Sequence, residues 1–585
     1  MNKLKWVVLF SMLTNLTVAQ HRAFEVDEDV RIAMRDGIVL RGHLSRPKVD
    51  RRVPVILRIN SYAREKDLSA NRYVFQLAAN LGYAYAEINI RGTGKSEGER
   101  HPFEHDVTDG YDIIDWLSKQ SWCDGAVVMG GGSYLGYTQW AALKNPHPAL
   151  KTIVPMVAAA PGKDMPSLNG MMPNYMMRWM STFDSPYAND ASFDDTERWR
   201  KIYNTIYCAG LPTTSIDSLH GRRSEVFQQW LQHPAFDEFW SSKLPSSAAE
   251  YRNINIPILS ITGFFDSNQR GALYYYNMHT KSNPQHNHYL LIGPYDHATG
   301  QNQKHLSRHH YYRFDTTAYV NKVALAAKWY NHVLKNEKLP EQIKDKVNVF
   351  VIGDGWRYAK SLGDLAADTI RFHLGEGVLS KQVQRKSKSA LPFDSRVIND
   401  TLTSRLTYRT AAPFNHTDEF STVVDGNENY LNQTPILVFD SPKFDRAFDL
   451  IGSPVGVMNM SVKGIKDADV EVRYYEVTTE GKSYELSVVA QRLSLIDDKR
   501  SVLLDEGRVR EFHFDNAYFM AKRIAKGSFV RVTVRIINEA GFQKNYGSGK
   551  NVSTESIKDA KQGALNIHFG RKGGSSILLP GKFKE

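Results

Sequence analysis

A serine set among glycines, Gly131-Gly132-Ser133-Tyr134-Leu135-Gly136, constrains this chain more than any other stretch. Ala126 to Met129 before it is a short apolar run, and Tyr137 to Leu143 after it has the pattern of a helix that stops before Asn145-Pro146. At such a strand-to-helix turn the missing glycine side chains let the backbone bend sharply and hold the hydroxyl out over the edge of a sheet. Ser133 is therefore the candidate nucleophile. Leu135 stands at +2 and glycine arrives only at +3, so G-x-S-x-G is not met. An ordinary glycine-rich connection stays open as the alternative until the serine's partners are found.

The segments around the turn supply the sheet it needs. Alternating residues from Phe24 to Arg46, with Asp36-Gly37 between, predict a hairpin. Val53 to Ile59 reads as a buried strand, Asn71 to Leu81 as a helix, Tyr83 to Ile90 and Thr152 to Val157 as further strands, and the sheet resumes at Ile256 to Thr262 and Tyr289 to Ile292. Apolar residues from Tyr319 to Val333 have helical spacing within Thr316 to Leu334. This alternation predicts a mostly parallel sheet covered on both faces. Asp106, Asp109, Asp112 and Asp115 read as the acidic N-terminal end and wet face of one covering helix.

Pro161 to Ala249 interrupts the alternation with methionine and aromatic residues, among them Met176 and Trp179, and reads as a helical cap over the site. From Lys346 short β-like runs separated by Gly, Asp and Asn predict an all-β domain, a sandwich or jelly roll. The organisation is thus body at 20–160 and 250–345, cap at 161–249 and β-domain at 346–585. At the start, Lys3 and Lys5 precede the apolar run Trp6 to Leu13, with small residues at Thr17-Val18-Ala19. That is a secretory signal over 1–19 and predicts export to the periplasm or beyond, without membrane insertion.

Other readings fail on spacing. Gly94-Lys95-Ser96 ends like a phosphate loop, but the glycine required five residues before Gly94 is Asn89. His286, His288, His305, His309 and His310 lack companion ligands at metal spacing, so no metal or other cofactor is called for. The formal charge of +11 is scattered in short runs such as Arg222-Arg223, a solvated surface with no nucleic-acid stripe. Cys123 and Cys208 read as two isolated buried thiols. Oligomeric state is not legible.

A serine hydroxyl needs a base, and the base a carboxylate, in the order Ser, Asp or Glu, His, each on a loop past a strand. Asp266 follows one predicted strand through Gly263-Phe264-Phe265, and His297 follows the next through Gly293-Pro294-Tyr295-Asp296. Asp296 is the weaker orienter because it is adjacent to His297. These stretches, GGSYLGYTQW at Gly131 to Trp140, GFFD at Gly263 to Asp266 and GPYDH at Gly293 to His297, resemble the family of bacterial cocaine esterase, α-amino acid ester hydrolases and X-Pro dipeptidyl peptidases. RGTGKSE at Arg91 to Glu97 and WCDG at Trp122 to Gly125 are similar to its framework motifs. The resemblance covers nearly the whole mature chain. It implies an α/β-hydrolase with helical cap and C-terminal jelly roll, in which the elbow has glycine at +3.

By the same resemblance the oxyanion hole is the Tyr134 amide with the Tyr62 hydroxyl. Phe265, Trp179 and Met176 are candidates for the substrate pocket. The expected partner is a small ester or amide. Amino-ester hydrolases bind the substrate ammonium with carboxylates soon after the catalytic aspartate, whereas Ser267-Asn268-Gln269 follows Asp266, so the reading is an esterase. An X-Pro dipeptidyl aminopeptidase or α-amino acid ester hydrolase is the alternative, with Asp184 as an available cap carboxylate. A carbohydrate-binding role for the C-terminal domain is the non-catalytic alternative, marked by exposed aromatic residues on one face.

Overall fold

The computed structural model describes residues 23–65, 71–302, 308–309, 312–366, 368–397, 435–497, 499–570 and 574–584. The predicted signal over 1–19 lies outside them, as do His305 and His310.

The body is one ten-stranded sheet. Its strands are β1 (Phe24–Ala33), β2 (Val39–Pro47), β3 (Val53–Asn60), β4 (Ala84–Asn89), β5 (Cys123–Gly132), β6 (Leu150–Met156), β7 (Ile258–Phe265), β8 (His288–Asp296), β9 (Val347–Val351) and β10 (Gly355–Ala359). The order is β1-β2-β4-β3-β5-β6-β7-β8-β9-β10, parallel from β4 to β9 with an antiparallel hairpin at each end. The helices that frame the site are α1 (Arg72–Leu81), α2 (Asp106–Ser118), α3 (Tyr134–Ala142), α4 (Tyr175–Ser181), α5 (Thr196–Ala209), α6 (Gln269–Ser282) and α7 (Lys322–Lys335).

Successive strand residues face opposite sides, so buried β-branched runs serve two layers. Val127 and Ile153 meet Ile113, Leu117 and Trp140 of α2 and α3, while Val128 and Val154 meet Phe75, Leu325 and Trp329 of α1 and α7. The helix predicted over Thr316 to Leu334 begins at Lys322, where the Asn321 side chain caps the Ala324 amide at 3.1 Å. The preceding 316–318 segment is a separate 3₁₀ turn, and Tyr319 is 43% exposed.

Between β6 and β7 the chain leaves the sheet for a run of short helices that includes α4 and α5. Part of its methionine content serves packing: Leu168 and Met171 bury against Val488 and Phe542 of the C-terminal region. That region is built of antiparallel sheets, among the described residues one larger sheet, one of four strands and a two-stranded ribbon at Leu495–Ile496 and Arg500–Ser501. Its start differs from expectation. Val347–Val351, assigned by composition to the β-domain, pairs in parallel with β8 and belongs to the body's sheet; a β-branched run does not encode which sheet it joins. The two units share one core in which Phe264, Leu290 and Val349 meet Phe448, Ile524 and Leu579. Large exposed apolar side chains among the described C-terminal residues are aliphatic, such as Val383 and Val509. The C-terminal sheets thus pack flush on the body and display no aromatic platform there. Cys123 is buried, but Cys208, expected to be buried, is exposed, and the two do not form a disulfide.

Candidate active site

At the end of β5 Ser133 has φ +61° and ψ −123°, the strained backbone of a nucleophile elbow. Its amide donates to the Met156 carbonyl at 3.0 Å, which pins the turn to β6. The +3 glycine has a steric origin. A Cβ on Gly136 would lie 2.8 Å from the Ala158 Cα and 2.9 Å from the Met156 carbonyl oxygen, backbone atoms that cannot yield, so α3 passes this close to the β6 exit only with glycine there. Position +2 carries no such contact and accepts Leu135.

Asp266 and His297 come together with Ser133 as the chain order predicts. His297 Nε2 lies 2.9 Å from Ser133 Oγ, and His297 Nδ1 lies 2.8 Å from Asp266 Oδ1. A carboxylate only accepts, so Nδ1 carries the proton and Nε2 faces the serine as acceptor. Asp266 is fully buried and is held by the Thr262 hydroxyl at 3.0 Å and the Asn268 amide at 3.0 Å. Burial pulls the His297 imidazole down, but the hydrogen bond and charge of Asp266 outweigh it and the net shift is upward. Asp296 turns away, accepting from the Thr299 amide and hydroxyl, both at 2.7 Å.

Tyr62 reaches the site from the loop after β3. Trp179 Nε1–H donates to its hydroxyl at 3.1 Å, which holds the phenol beside the Ser133 side chain. Burial outweighs these hydrogen bonds and raises its pKa, so the phenol remains a donor at neutral pH. Tyr134 opens α3, where first-turn amides have no intrahelical acceptor. Its ring is buried, its hydroxyl donates to Asp106 Oδ2 at 2.8 Å and accepts from the Phe103 amide at 2.8 Å. Asp106 is therefore no wet-face residue. It is 4% exposed, and burial pushes its carboxyl up to about 7. Asp109, also buried, takes a two-pronged contact from Arg91 at 2.7 and 2.8 Å. Asp106 and Asp109 occupy the first turn of the helix as expected but turn inward onto Tyr134 and Arg91, whereas Asp112 and Asp115 pair with Arg35 and Lys119 nearer the surface.

Ser133, His297 and Tyr62 open into a cavity of about 580 Å³. Met176 and Trp179 line it, with Met165 and Tyr175. Phe265 does not: it is buried against Tyr312 and Phe314 behind the catalytic edge, because alternation along β7 turns it to the C-terminal core. Asp184 is also elsewhere, 2.8 Å from His220 Nε2. The carboxylates at the cavity are Glu87, Asp164 and Asp190. Sequence reading missed Asp164, although it follows β6 at the strand edge where functional residues collect. It accepts from the Ala160 amide at 2.8 Å, the Gly271 amide at 2.9 Å and Asn268 Nδ2 at 3.2 Å, and burial raises it to about 7. Gln301, likewise unanticipated, packs on Gly132 and donates to the His297 carbonyl at 2.9 Å.

A doubly covered parallel sheet with this elbow, a cap and an appended all-β region is an α/β-hydrolase of the serine esterase and peptidase type. Residues 36–299 match the X-Pro dipeptidyl-peptidase (S15 family). Cocaine esterase of Rhodococcus sp. (strain MB1 Bresler) is 25% identical over 95% of this chain and 98% of its own. The fold is shared with an aminopeptidase from the marine sediment archaeon Thaumarchaeota archaeon, TM-score 0.76 at 19% identity over 98% of this chain and 99% of that one. It is also shared with an α-amino acid ester hydrolase, TM-score 0.74 at 18% identity over 98% and 100%. Over residues 36–299 the chain thus resembles the S15 peptidases, and over nearly its whole length cocaine esterase.

Proposed function

We propose that the protein is an exported hydrolase of carboxylic esters acting through a covalent acyl-enzyme. The carrying observation is the Ser133–His297–Asp266 relay, 2.9 and 2.8 Å between successive partners, opening on a cavity walled by Met176 and Trp179. Ser133 Oγ attacks the ester carbonyl as His297 Nε2 takes its proton, and Asp266 stabilises the imidazolium. The Tyr62 hydroxyl and the Tyr134 amide receive the oxyanion. His297 then protonates the departing alkoxide. Water, deprotonated by the same nitrogen, releases the acid and restores Ser133. Export rests on Lys3, Lys5 and the apolar run after them; the N-terminal sequence of the secreted protein checks it, and one beginning before residue 15 refutes it.

A serine-directed phosphonate is expected to label Ser133, and Ser133→Ala to abolish hydrolysis of p-nitrophenyl esters while the fold persists; labelling elsewhere or undiminished turnover refutes the assignment. A second reading, a substrate with a free α-amine, is favoured by Asp164 at the cavity wall. Three donors already serve that carboxyl, so amine-free aryl esters are expected to react at least as well as matched amino esters. A preference of about 10²-fold for the amine in kcat/KM, ~2.7 kcal/mol, would instead make Asp164 an ammonium anchor and the enzyme an amino-ester hydrolase or peptidase.

A further inference from the structure

On the face of the sheet behind the elbow, a smaller cavity of about 180 Å³ lies between α1 and α7. Its walls include Leu77 and Leu81 of α1, Val323 and Ala327 of α7 and Ile56 of β3. All but Val323 are half-buried, and Val323 is 36% exposed, so these side chains border a gap in place of packing on one another. The space would hold several waters at roughly 30 Å³ each, yet aliphatic walls give water few partners.

Arg58 stands at the head of this gap and also lines the catalytic cavity. It is a strand residue placed directly opposite Glu87 of β4. The pair is lopsided. Glu87 receives Asn60 Nδ2 at 2.9 Å on one oxygen and the Tyr85 hydroxyl at 2.9 Å on the other. Arg58 Nη1 donates to the Tyr85 oxygen at 3.1 Å and forms an ion pair with Glu87 Oε2 at the longer distance of 3.4 Å. A guanidinium offers five N–H donors, and among the described residues this is its single hydrogen bond. Its side chain keeps 34% of its surface open, although the cavities enclose it. An under-used cation at the head of an aliphatic slot is complementary to one kind of molecule, an anion on an alkyl chain.

We infer that this slot binds a straight-chain alkyl carboxylate, its tail between α1 and α7 and its carboxylate on Arg58. Neutral lipids would leave the remaining guanidinium donors without a charged acceptor, and small inorganic anions would leave the apolar walls wet. Gly132 and Gln301 separate the slot from the catalytic cavity. An occupant therefore touches the residue before Ser133 and the side chain that braces the His297 carbonyl. The acids that ester hydrolysis releases belong to the same chemical class, but binding here does not depend on that reading.

The test is calorimetric titration of the full chain with hexanoate, octanoate and decanoate, and with decanamide as the neutral control. Affinity is expected to rise about fourfold per methylene, from ~0.8 kcal/mol each, until the slot is full, and decanamide to bind at least about tenfold more weakly than decanoate. Ala327→Phe, which fills the slot from α7, is expected to lower decanoate affinity at least about tenfold and leave p-nitrophenyl acetate turnover unchanged. Ala327→Leu, a gentler filling, should act in the same direction to a lesser degree. The double change Arg58→Gln with Glu87→Gln removes both charges and is expected to erase the preference for decanoate over decanamide. Affinity that is flat along the acid series, equal for acid and amide in the wild type, or undiminished in both Ala327 variants overturns the inference.

Discussion

Buried carboxylates occur both at the catalytic edge of the body and inside the C-terminal sheets, and they behave oppositely. Glu471 lies between Arg473, at 2.6 and 2.8 Å, and Arg535, at 2.6 and 3.0 Å. Burial alone would raise its pKa, but two guanidiniums outweigh it and hold the carboxyl well below its usual range. Asp106 is as deeply buried, yet its hydrogen bonding comes from the neutral Tyr134 hydroxyl, and its pKa goes up. Burial is common to both, so the partner sets the sign. The Glu471 charge is locked for structure, while Asp106, beside the oxyanion donors, remains able to titrate.

The sharpest way to break this contrast is Glu471→Ala, which removes the carboxylate two buried guanidiniums share and leaves Arg473 to Glu485 and Arg535 to Glu539. Stability should fall by about 3–5 kcal/mol, seen as a lower urea midpoint, with turnover per folded molecule unchanged; an unmoved midpoint would mean that solvent already serves the two arginines. Tyr62→Phe acts on the other region. It should leave the urea midpoint nearly in place and reduce kcat about 10²–10³-fold, whereas a raised KM at constant kcat would make Tyr62 a ground-state contact. The smallest effect belongs to Asp106→Asn. In the wild type the folded acid keeps its proton up to about pH 7 while the unfolded acid loses it near the ordinary aspartate value of 3.8. Stability from this group is therefore complete below about pH 4 and declines as pH rises toward 7, on the order of 1 kcal/mol per pH unit. The asparagine variant should show a flatter profile across that window in urea melts at successive pH values. An identical slope in both proteins would assign the decline to another group, such as Asp164.

The elbow and its two partners were legible because each is a local pattern: a serine among glycines, and an acid and a base just past apolar runs. The cap and the all-β region followed from a change in residue alternation. What sequence could not carry was register. Arg58 acquires its meaning from Tyr85 and Glu87 on the neighbouring strand. Asp164 acquires its own from Asn268, one of the three neutral residues that argued against a carboxylate near Asp266. Phe265 was assigned to the pocket by proximity in sequence, but strand alternation sends it to the opposite side. Val347–Val351 has the composition of any buried strand, so only its pairing with β8 places it in the body.

The loop after Asp266 is fastened by residues far along the chain. Gln269 exchanges a pair of hydrogen bonds with the Phe519 backbone, at 2.9 and 2.7 Å, and the Tyr518 hydroxyl donates to the Ser267 carbonyl at 3.2 Å. Synthesis proceeds from the N-terminus, so the strands bearing Ser133 and His297 exist long before the residues that fix their acid. The loop that carries the catalytic acid is thereby secured by residues 250 positions further along the chain.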